Sequence, residues 1–335
     1  YHCDYYCYED NKKLAKGIFK KSNTKVKFIK NLAIGPFLVY NPFKFLDSDT
    51  KILVLMLHIG HITTWLLLIT KFIHKKKIVL WGHGISVKRY VYESQKPSIL
   101  IKWQIHLADR VWVYTQKEKN IWNLHITNSD KITALNNTIS EIGDIVNYQS
   151  ISSKAELKEK YKVNEIKICI FSARFTLEER RADLLERIIQ SCGDIGFIII
   201  GDGPLKPDFS IYSNVYDMGA IYDAEIKNEL FSIADIYLQP AWLGLSVVEA
   251  MAYGLPIFTL RRTVEIKQCV EYFYLEESGG GKIFDTVELL IENLHIVEQK
   301  EMVLLGTIAR QYVKNYLMMS NMVNNAIASL KSLDR

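Results

Sequence analysis

Residues 166–200 read IKICIFSARFTLEERRADLLERIIQSCGDIGFIII, and this stretch decides the fold class. The opening run, Ile166–Phe171, and the closing run, Gly196–Ile200, are short and almost wholly apolar. Such runs are typical of strands that are buried on both faces of a parallel sheet. Between them, Arg181–Gln190 has the spacing of an amphipathic helix. The stretch therefore predicts a strand–helix–strand unit of an α/β protein.

The same alternation of short apolar runs and helical patterns extends over most of the chain. It predicts parallel sheets with helices on both faces. Besides the two runs above, the predicted strands are Lys51–Leu57, Lys77–Trp81, Arg110–Tyr114, Lys131–Leu135, Asn214–Met218, Asp235–Leu238 and Pro256–Leu260. The other predicted helices are Thr63–Ile73, Ser98–Ala108, Gln116–Leu124, Lys154–Lys160, Ala224–Ala234 and Ser246–Ala252.

The polar stretch Asn136–Ser153 has no apolar periodicity and separates two series of strands. It predicts two α/β domains, one in residues 1–145 and one in residues 146–315. A long helical pattern from Leu304 to Leu333, interrupted near Tyr312–Asn315, ends the chain. We expect its last part, residues 316–335, to cross back to the first domain.

The composition is that of a folded protein: 49% of the 335 residues are apolar and 24% are charged. The five cysteines are odd in number and scattered, which argues against a disulfide framework and a structural zinc site. They favour a reducing, cytoplasmic setting. The apolar run Ile52–Ile73 has His58, Gly60 and His61 near its middle. We interpret it as a strand, a turn at Gly60 and a helix, because such groups are costly inside a bilayer.

The charge is unevenly distributed. Residues 1–150 hold 22 Lys and Arg against 11 Asp and Glu, whereas residues 151–335 hold 20 against 26. A basic half predicts an anionic partner, either nucleic acid or the cytoplasmic face of a membrane, although an ordinary solvated surface is the alternative. The densest cluster is Lys12–Lys30, with Phe19 and Phe28 interleaved. No recognised nucleic-acid module accompanies it, so we favour an anionic membrane over nucleic acid.

The block Gln239–Phe258, QPAWLGLSVVEAMAYGLPIF, is the most informative motif. A strand ends near Pro240, and a helix begins near Ser246, which we expect to be its N-cap. Glu249 lies in the first turn of that helix. A helix N-terminus at the carboxyl edge of a sheet suits a phosphate, and a carboxylate one turn later suits a ribose diol. The alternative is that Glu249 only complements the helix dipole.

A second block, FSARFTLEERRADLL at 171–185, places arginines after a strand. Arg174 lies in the loop, and Arg180 and Arg181 are expected to open the next helix. Guanidinium groups at this edge suit a diphosphate. The alternative is a set of salt bridges with the neighbouring carboxylates Glu178, Glu179 and Asp183.

Glycines mark three further loops that follow predicted strands. They are Gly201-Asp202-Gly203-Pro204, Gly219-Ala220-Ile221 and Gly82-His83-Gly84. Glycine permits tight turns and close approach of the backbone to a ligand. His83 follows the strand Lys77–Trp81, and its glycine neighbours favour an exposed side chain. It is a candidate catalytic residue, with a hydrogen-bonded loop histidine as the alternative.

The segment from Glu165 to Leu260 resembles the donor-binding domain of glycosyltransferase family 4, the retaining GT-B enzymes that contain a "glycosyl transferases group 1" domain. The matching motifs occur in the family's order: SARF, GDGP, MGAI, ADIYLQP and GLSVVEAMAYGLPIF. The resemblance implies that Arg174 and Arg180 hold the donor diphosphate and that Glu249 binds the ribose. It also implies that Gly219, Ala220 and Ile221 flank the nucleobase. The implied fold is two Rossmann-like, doubly wound domains facing a central cleft.

The sequence departs from this family at one position that matters for the sugar. The family's first glutamate, eight positions before the second, is Ala241 here, and the following Gly-Phe-Gly reads Trp242-Leu243-Gly244. Backbone N–H groups of Gly244, Leu245 and Ser246 remain to cradle sugar or phosphate. Two rival functions therefore stay open. One is a nucleotide-sugar 2-epimerase, and the other is a catalytically silent subunit that binds a nucleotide sugar.

The first half resembles a GT-B acceptor domain more loosely, through KIVLWGHG at 77–84, LADRVWVYT at 107–115 and KITALNNT at 131–138. The family's glycine-rich loop after its first strand has no counterpart in Tyr1–Thr50. We therefore expect the first strand and the true N-terminus to be missing from this sequence. In this comparison His83 would touch the transferred sugar or the acceptor hydroxyl.

No metal or cofactor is expected. Asp47-Ser48-Asp49 precedes a strand instead of following one, so we interpret it as a turn. Gly279-Gly280-Gly281-Lys282 lacks both the earlier glycine and the final Ser or Thr of a P-loop. The resemblance implies a nucleotide-diphosphate sugar as donor and a saccharide acceptor in bacterial surface-polysaccharide synthesis. The acceptor is either free or linked to lipid, and the expected location is cytoplasmic with peripheral membrane contact.

Overall fold

The computed structural model describes residues 2–9, 26–46 and 49–333. Two small β units open the first half: strand β1 (Tyr5–Tyr8) pairs in parallel with β2 (Val26–Ile29), and β3 (Asn31–Ile34) forms an antiparallel hairpin with β4 (Phe37–Tyr40). Most of the Lys12–Lys30 cluster, and Asp47-Ser48, lie outside the described residues.

A four-stranded parallel sheet forms the centre of the first half. Its strands are adjacent in the order in which they occur along the chain. All four were predicted from their apolar runs, whereas β1–β4 were not. The strands are β5 (Ile52–Met56), β6 (Lys77–Trp81), β7 (Arg110–Val113) and β8 (Ile132–Ala134).

The described part of the first half contains six helices. The predicted helix Thr63–Ile73 is wrong in its length, because Thr70 leaves helical dihedral angles and divides it in two. No helix among the described residues is long and apolar enough to cross a membrane. The helices are α1 (Ile62–Ile69), α2 (Lys71–His74), α3 (Tyr90–Glu93), α4 (Ile99–Leu107), α5 (Gln116–Asn123) and α6 (Ile142–Asn147).

The second half is built on a six-stranded, wholly parallel sheet. Five of its strands were predicted; Gly281–Phe284 was not, because its glycines disguise it. The strands alternate with helices. The strands are β9 (Ile168–Ser172), β10 (Gly196–Ile200), β11 (Val215–Asp217), β12 (Ile236–Leu238), β13 (Ile257–Leu260) and β14 (Gly281–Phe284). The helices are α7 (Lys154–Lys160), α8 (Ala182–Ser191), α9 (Ala224–Ile233), α10 (Ser246–Tyr253), α11 (Tyr272–Ser278) and α12 (Val287–Ile296). The chain then ends in α13 (Gln299–Tyr316) and α14 (Met319–Lys331).

The order of strands in this sheet fixes where a ligand can bind. Across the sheet it is β11-β10-β9-β12-β13-β14, so the chain builds outward from β9 in one direction and then returns to the other side of β9. The crevice outside the carboxyl ends of β9 and β12 is therefore a topological switch point. The loops that carry Arg174 and Gly244 begin at these two strand ends.

Two other sequence predictions need correction. The polar stretch Asn136–Ser153, in which no helix was predicted, contains helix α6. The buried residues Ile142 and Val146 of this helix pack into the core of the second half. The interruption of the C-terminal helix falls at Leu317 and Met318, not at Tyr312–Asn315. Two glycines at the start of β14 are packing positions: a Cβ at Gly280 would lie 2.6 Å from Ala309 Cβ, and one at Gly281 would lie 2.0 Å from the carbonyl oxygen of Ile257.

The two halves of the chain are in direct contact. Phe273 of α11 packs into the hydrophobic core of the first half. Arg262 lies among three aromatic rings, 4.0 Å from the centroid of Tyr90, 4.9 Å from that of Tyr272 and 4.6 Å from that of Phe273. Helix α14 returns to the first half, where Trp112 Nε1 donates to Ser329 Oγ at 2.9 Å. The domain limits given above stay a prediction.

Candidate functional site

Arg174 is held at the carboxyl end of β9 by the GDGP loop. The amide of Ala173 donates to the carbonyl of Ile200, and the amide of Phe175 donates to that of Asp202, both at 3.0 Å. Gly201 and Gly203 have φ of +141° and +149°, and a Cβ on them would lie 1.9 Å from the carbonyl oxygen of Ala173 and 2.3 Å from that of Phe175, the two neighbours of Arg174. The two glycines are therefore required for the backbone contact that fixes Arg174. The Arg174 side chain itself is exposed.

Arg180 lies beside Arg174, half-buried at the same edge of the sheet. Burial lowers its pKa, and the positive charge of Arg174 lowers it further, whereas Tyr237 and Cys269 act in the opposite direction. Its Nε is buried without a hydrogen-bond partner among the described residues. Two neighbouring guanidinium groups without a bound carboxylate are a candidate site for an anion.

The sequence prediction that Arg180 and Arg181 open a helix is wrong. Arg180 ends a short 3₁₀ turn, Glu178–Arg180, and helix α8 begins at Ala182. Arg181 has a left-handed φ of +52° and pairs with Asp183 at 2.7 Å. The salt-bridge alternative therefore applies to Arg181. Among the described residues neither Arg174 nor Arg180 forms an ion pair.

The N-terminus of α10 is anchored to the end of β12 by a buried polar network centred on Gln239. The hydroxyl of Tyr237 donates to Gln239 Oε1 at 2.6 Å, and Ser246 Oγ donates to the same atom at 3.1 Å. Gln239 Nε2 donates to the carbonyls of Ala241 and Trp242. The predicted N-cap is therefore wrong: Leu245 occupies the cap position, and Ser246 is the first helical residue.

Glu249 lies one turn into α10 and is buried, with only 8% of its surface exposed. Lys227 of helix α9 pairs with it, with Nζ 2.6 Å from Oε1. Burial raises the pKa of the adjacent Tyr237; the charge of Glu249 raises it further and that of Arg180 lowers it. Tyr237 is therefore within electrostatic reach of both charges, and the fold brings Arg180 and Glu249 to one region.

The loop between β12 and α10 is held by Gln268, which sequence reasoning missed. Its Oε1 accepts from the amide of Leu243 at 2.8 Å, and its Nε2 lies within 3.2 Å of the Pro240 carbonyl. Ala241 is fully buried in this loop. Gly244 is half-buried with space around its Cα, since an added Cβ would approach nothing closer than Cys269 Sγ at 3.7 Å. The loop is thus rigid at its base and open at Gly244.

Gly219, Ala220 and Ile221 follow β11, next to the GDGP loop. Gly219 has a φ of +62°, its carbonyl accepts from the amide of Gly201 at 2.7 Å, and its amide donates to Asp217 Oδ1 at 3.0 Å. Lys206 pairs with the same carboxylate. The fold thus places this segment beside the loop that holds Arg174, as the sequence motifs predicted for one site.

His83 lies at the carboxyl end of β6, in the first half of the chain. Its ring contacts Tyr114 edge-on at 4.3 Å, and its Nδ1 lies 3.8 Å from Oε1 of Glu118. Its side chain is 42% exposed although Nδ1 is buried. Burial lowers the pKa of His83 to about 4. The two glycines are packing positions as well: a Cβ on Gly84 would lie 2.6 Å from Trp122 Nε1, and one on Gly82 would lie 2.9 Å from the carbonyl oxygen of Leu57.

Contacts between the two halves connect His83 to the arginine loop. Lys88, five residues after His83, pairs with Glu179, the residue before Arg180. A second contact crosses between the halves, where the hydroxyl of Tyr274 donates to the carbonyl of Asn137 at 3.0 Å. The His83 loop and the Arg180 loop therefore face each other where the halves meet.

The described part of the chain contains no cluster of candidate metal ligands. Among the described residues, no group of three or more His, Cys, Asp or Glu side chains could hold a metal ion. Fixed positive charge at the sheet edge comes from Arg174, Arg180 and the N-terminus of α10.

The family comparison matches this site. Residues 167–293 match the family model described as glycosyl transferases group 1. They include Arg174, Arg180, Gly219–Ile221 and Glu249. The match to the group 1 glycosyl transferase model therefore lies wholly within the second half of the chain. No curated protein matched the sequence.

Solved structures are similar over almost the whole chain. Alr3699/HepE from Anabaena, in complex with UDP and glucose, is 13% identical with a TM-score of 0.64, covering 95% of this chain and 88% of that one. WaaG, a glycosyltransferase involved in lipopolysaccharide biosynthesis, is 15% identical with a TM-score of 0.55, covering 91% and 86%. A putative UDP-N-acetylglucosamine 2-epimerase from Listeria monocytogenes is 14% identical with a TM-score of 0.61, covering 100% and 89%.

At these identities the likeness is one of fold. The chain has the GT-B fold, in which two Rossmann-like domains face a central cleft. Lys88, in the segment after His83, and Glu179, next to Arg180, form an ion pair between the two halves.

Proposed function

We propose that the protein is a retaining glycosyltransferase of family 4 that moves a sugar from a nucleotide-diphosphate donor to a saccharide hydroxyl. The proposal rests on the positions of two arginines. Arg174 and Arg180 form no ion pair with a described residue, and they lie at the same sheet edge as the buried Glu249. The arginines suit a diphosphate and the carboxylate suits a ribose diol. Alr3699/HepE, a protein of the same fold, was solved with UDP and glucose.

The chemistry assigned to the site is stabilisation of the leaving diphosphate. Negative charge grows on that group as its bond to the sugar breaks, and fixed positive charge lowers the barrier most where it is already in position. Arg174, Arg180 and the backbone amides of Gly244, Leu245 and Ser246 supply it. In a front-face reaction the leaving oxygen takes the acceptor proton, so no enzymic nucleophile is needed. We propose that the reaction is independent of metal ions.

The acceptor is proposed to be a lipid-linked or free saccharide of bacterial surface-polysaccharide synthesis. WaaG, which shares the fold, is involved in lipopolysaccharide biosynthesis. An acceptor anchored in lipid requires the enzyme to reach a membrane surface. The first half of the chain has a surface of exposed apolar side chains and lysines that suits such a contact.

This face, the α1/α2/α4 face, is a band of exposed apolar side chains flanked by lysines. On α1 and α2 the exposed residues recur at spacings of three and four, which places them on one side of the helices. Helix α4 packs against α1 and adds a second row. An apolar band with a cationic rim complements an anionic bilayer. The apolar residues are Ile62, Leu66, Ile69, Phe72, Ile73, Ile99, Leu100 and Trp103, and the exposed lysines include Lys75, Lys77 and Lys102.

Two other functions remain as alternatives. A nucleotide-sugar 2-epimerase is favoured by the likeness to the Listeria protein, and a silent binding subunit is favoured by Ala241 in place of a carboxylate. A thermal-shift panel of nucleotide sugars, followed by product analysis, separates the three. A ligand at 100 times its dissociation constant adds about 2.7 kcal/mol to the free energy of unfolding. Transfer that depends on an acceptor supports the proposal, epimerised donor without an acceptor supports the second, and binding without turnover supports the third.

A further inference from the structure

Two buried polar atoms, one on the predicted catalytic histidine His83 and one on Glu118, face each other. His83 Nδ1 and Glu118 Oε1 are each buried, and neither has a hydrogen-bond partner among the described residues. The two atoms are 3.8 Å apart. Buried polar groups are nearly always hydrogen-bonded, so a facing pair of unpaired atoms calls for an explanation. A closing movement of about 1 Å would bring them to hydrogen-bond distance.

The carboxylate of Glu118 is fixed by its other oxygen. Glu118 is fully buried at the start of helix α5, where it forms a capping box with Thr115. Oε2 accepts from the amides of Tyr114 and Thr115 at 3.1 and 3.0 Å and lies 3.3 Å from the Thr115 hydroxyl. Because three donors hold Oε2, the plane of the carboxyl group is set and Oε1 is directed at His83.

The groups around this pair favour its neutral form. Burial raises the pKa of Glu118 well above its ordinary value, and the nearby buried carboxyl of Glu271 adds to that effect against the hydrogen bonds from Thr115 and Tyr114. Burial also acts on His83, whose pKa it lowers, so the neutral imidazole is favoured. The other titratable groups close to Glu118 are tyrosines, Tyr90, Tyr114 and Tyr274. No cation among the described residues pairs with Glu118 other than His83 itself.

We propose that Glu118 is a positioning residue for His83: its protonated Oε1 donates to His83 Nδ1, which fixes the ring and leaves the hydrogen of the neutral imidazole on Nε2. The exposed edge of the ring then presents an N–H donor where the two domains meet. This inference rests on the proposed function, because it assigns His83 the task of hydrogen-bonding a sugar oxygen instead of removing a proton. A donor suits a retaining reaction that needs no enzymic base.

The tautomer can be measured without any substrate. Nitrogen NMR of ¹⁵N-histidine-labelled protein distinguishes Nδ1–H from Nε2–H, with the His83 signals assigned by their loss in His83→Gln. At pH 7 we expect a neutral ring protonated on Nε2. We expect Glu118→Gln to keep this tautomer, because its amide donates to Nδ1, and Glu118→Met to give a mixture of the two. A wild-type ring protonated on Nδ1, or on both nitrogens, would overturn the proposal.

Activity supplies the second readout. Glu118→Met is expected to lower kcat about tenfold, the value of one hydrogen bond, with little change in donor KM, and Glu118→Gln is expected to restore most of kcat. Loss of a helix cap is controlled by Glu156→Met, which removes the equivalent capping box of helix α7 away from His83. If Glu118→Met and Glu156→Met lower the melting temperature alike but leave kcat and the tautomer unchanged, Glu118 is only a cap.

The two proposals fail separately. If wild-type protein transfers no sugar while the NMR signals are as expected, the proposed function fails and the pair stands. If transfer is normal but the tautomer is Nδ1–H, or is unaltered in Glu118→Met, the positioning role fails and the transferase stands.

Discussion

The ammonium group of Lys227 lies 2.6 Å from Oε1 of Glu249, so the carboxylate predicted to bind the donor ribose is paired with a cation from the neighbouring helix. This ion pair joins α9 to α10, so a second helix holds the carboxylate in a fixed direction. The carboxylate lies where Tyr237 is also within electrostatic reach of Arg180.

Glu249→Gln is expected to weaken nucleoside diphosphate binding through the ribose. The wild type should bind a 2′-deoxy analogue more weakly than the ribonucleotide, because a buried carboxylate left without its hydroxyl partner is costly. The variant should hardly distinguish the two. Calorimetric titration of both ligands measures this difference. Glu229→Gln is the control, since Glu229 lies on α9 like Lys227 but pairs with Lys160 of α7. Unchanged affinity and discrimination in Glu249→Gln would leave it only a dipole partner.

His83→Ala should reduce turnover while the melting temperature stays near that of the wild type. The side chain is partly exposed, so little packing is lost, whereas the proposed donor to the sugar is removed. Initial rates and thermal unfolding of the same preparation measure the two effects, and His106→Ala, on the exposed face of α4, is the control. A large fall in melting temperature with full activity per folded molecule would assign His83 a structural role instead.

Gly203→Ala tests the support of Arg174 by the GDGP loop. A Cβ would lie 2.3 Å from the carbonyl oxygen of Phe175, at a φ of +149°. We expect the free energy of unfolding to fall by about 1–3 kcal/mol and diphosphate affinity to fall with it, because the backbone beside Arg174 must move. Gly193→Ala is the matched control, since nothing lies within 4 Å of its Cβ. Equal effects of the two substitutions would contradict this account of the loop.

The α1/α2/α4 face predicts binding to vesicles that contain anionic lipid. Sedimentation at low salt should carry the protein down, and high salt should release it, because screening weakens the attraction of the lysines. Phe72→Ser with Trp103→Ser should weaken binding, since these side chains are 77% and 60% exposed. Leu304→Ser, which removes an exposed apolar side chain of α13, should have no effect. Equal binding to neutral vesicles, or self-association through this face, would contradict the proposal.

The sequence predicted the parts of this fold that depend on buried apolar runs. All nine predicted strands exist. The most continuous apolar runs, β9 and β10, are buried throughout, whereas β5 and β11 are only partly buried. Strand β14 was missed because packing against β13 demands glycine at Gly281, which hides the apolar pattern. The hairpin of β3 and β4 was missed because its exposed apolar side chains have no core-facing alternation.

The candidate site was predictable to the extent that it follows strand ends. Arg174, Arg180 and Glu249 could be assigned to one edge because parallel strands share it. Lys227, Glu118 and Gln268 could not, since each acts through a contact between residues distant in sequence. The motif Thr115-x-x-Glu118 has the sequence signature of a capping box, although it was not among the predictions. Its unpaired second oxygen, directed at His83, is visible only in three dimensions.

The central claim is that Arg174 and Arg180 bind the donor diphosphate, and one calorimetric measurement tests it most directly. A panel of nucleoside diphosphates is titrated into wild type, Arg174→Ala, Arg180→Ala and the control Arg187→Ala, whose arginine pairs with the exposed Glu288. We predict that at least one nucleotide binds the wild type and the control alike. Each of the other two variants should lose about 1.5–3 kcal/mol, or about 10- to 150-fold in affinity. Binding that is unchanged in Arg174→Ala and Arg180→Ala, or absent from the wild type for every nucleotide, would contradict the account.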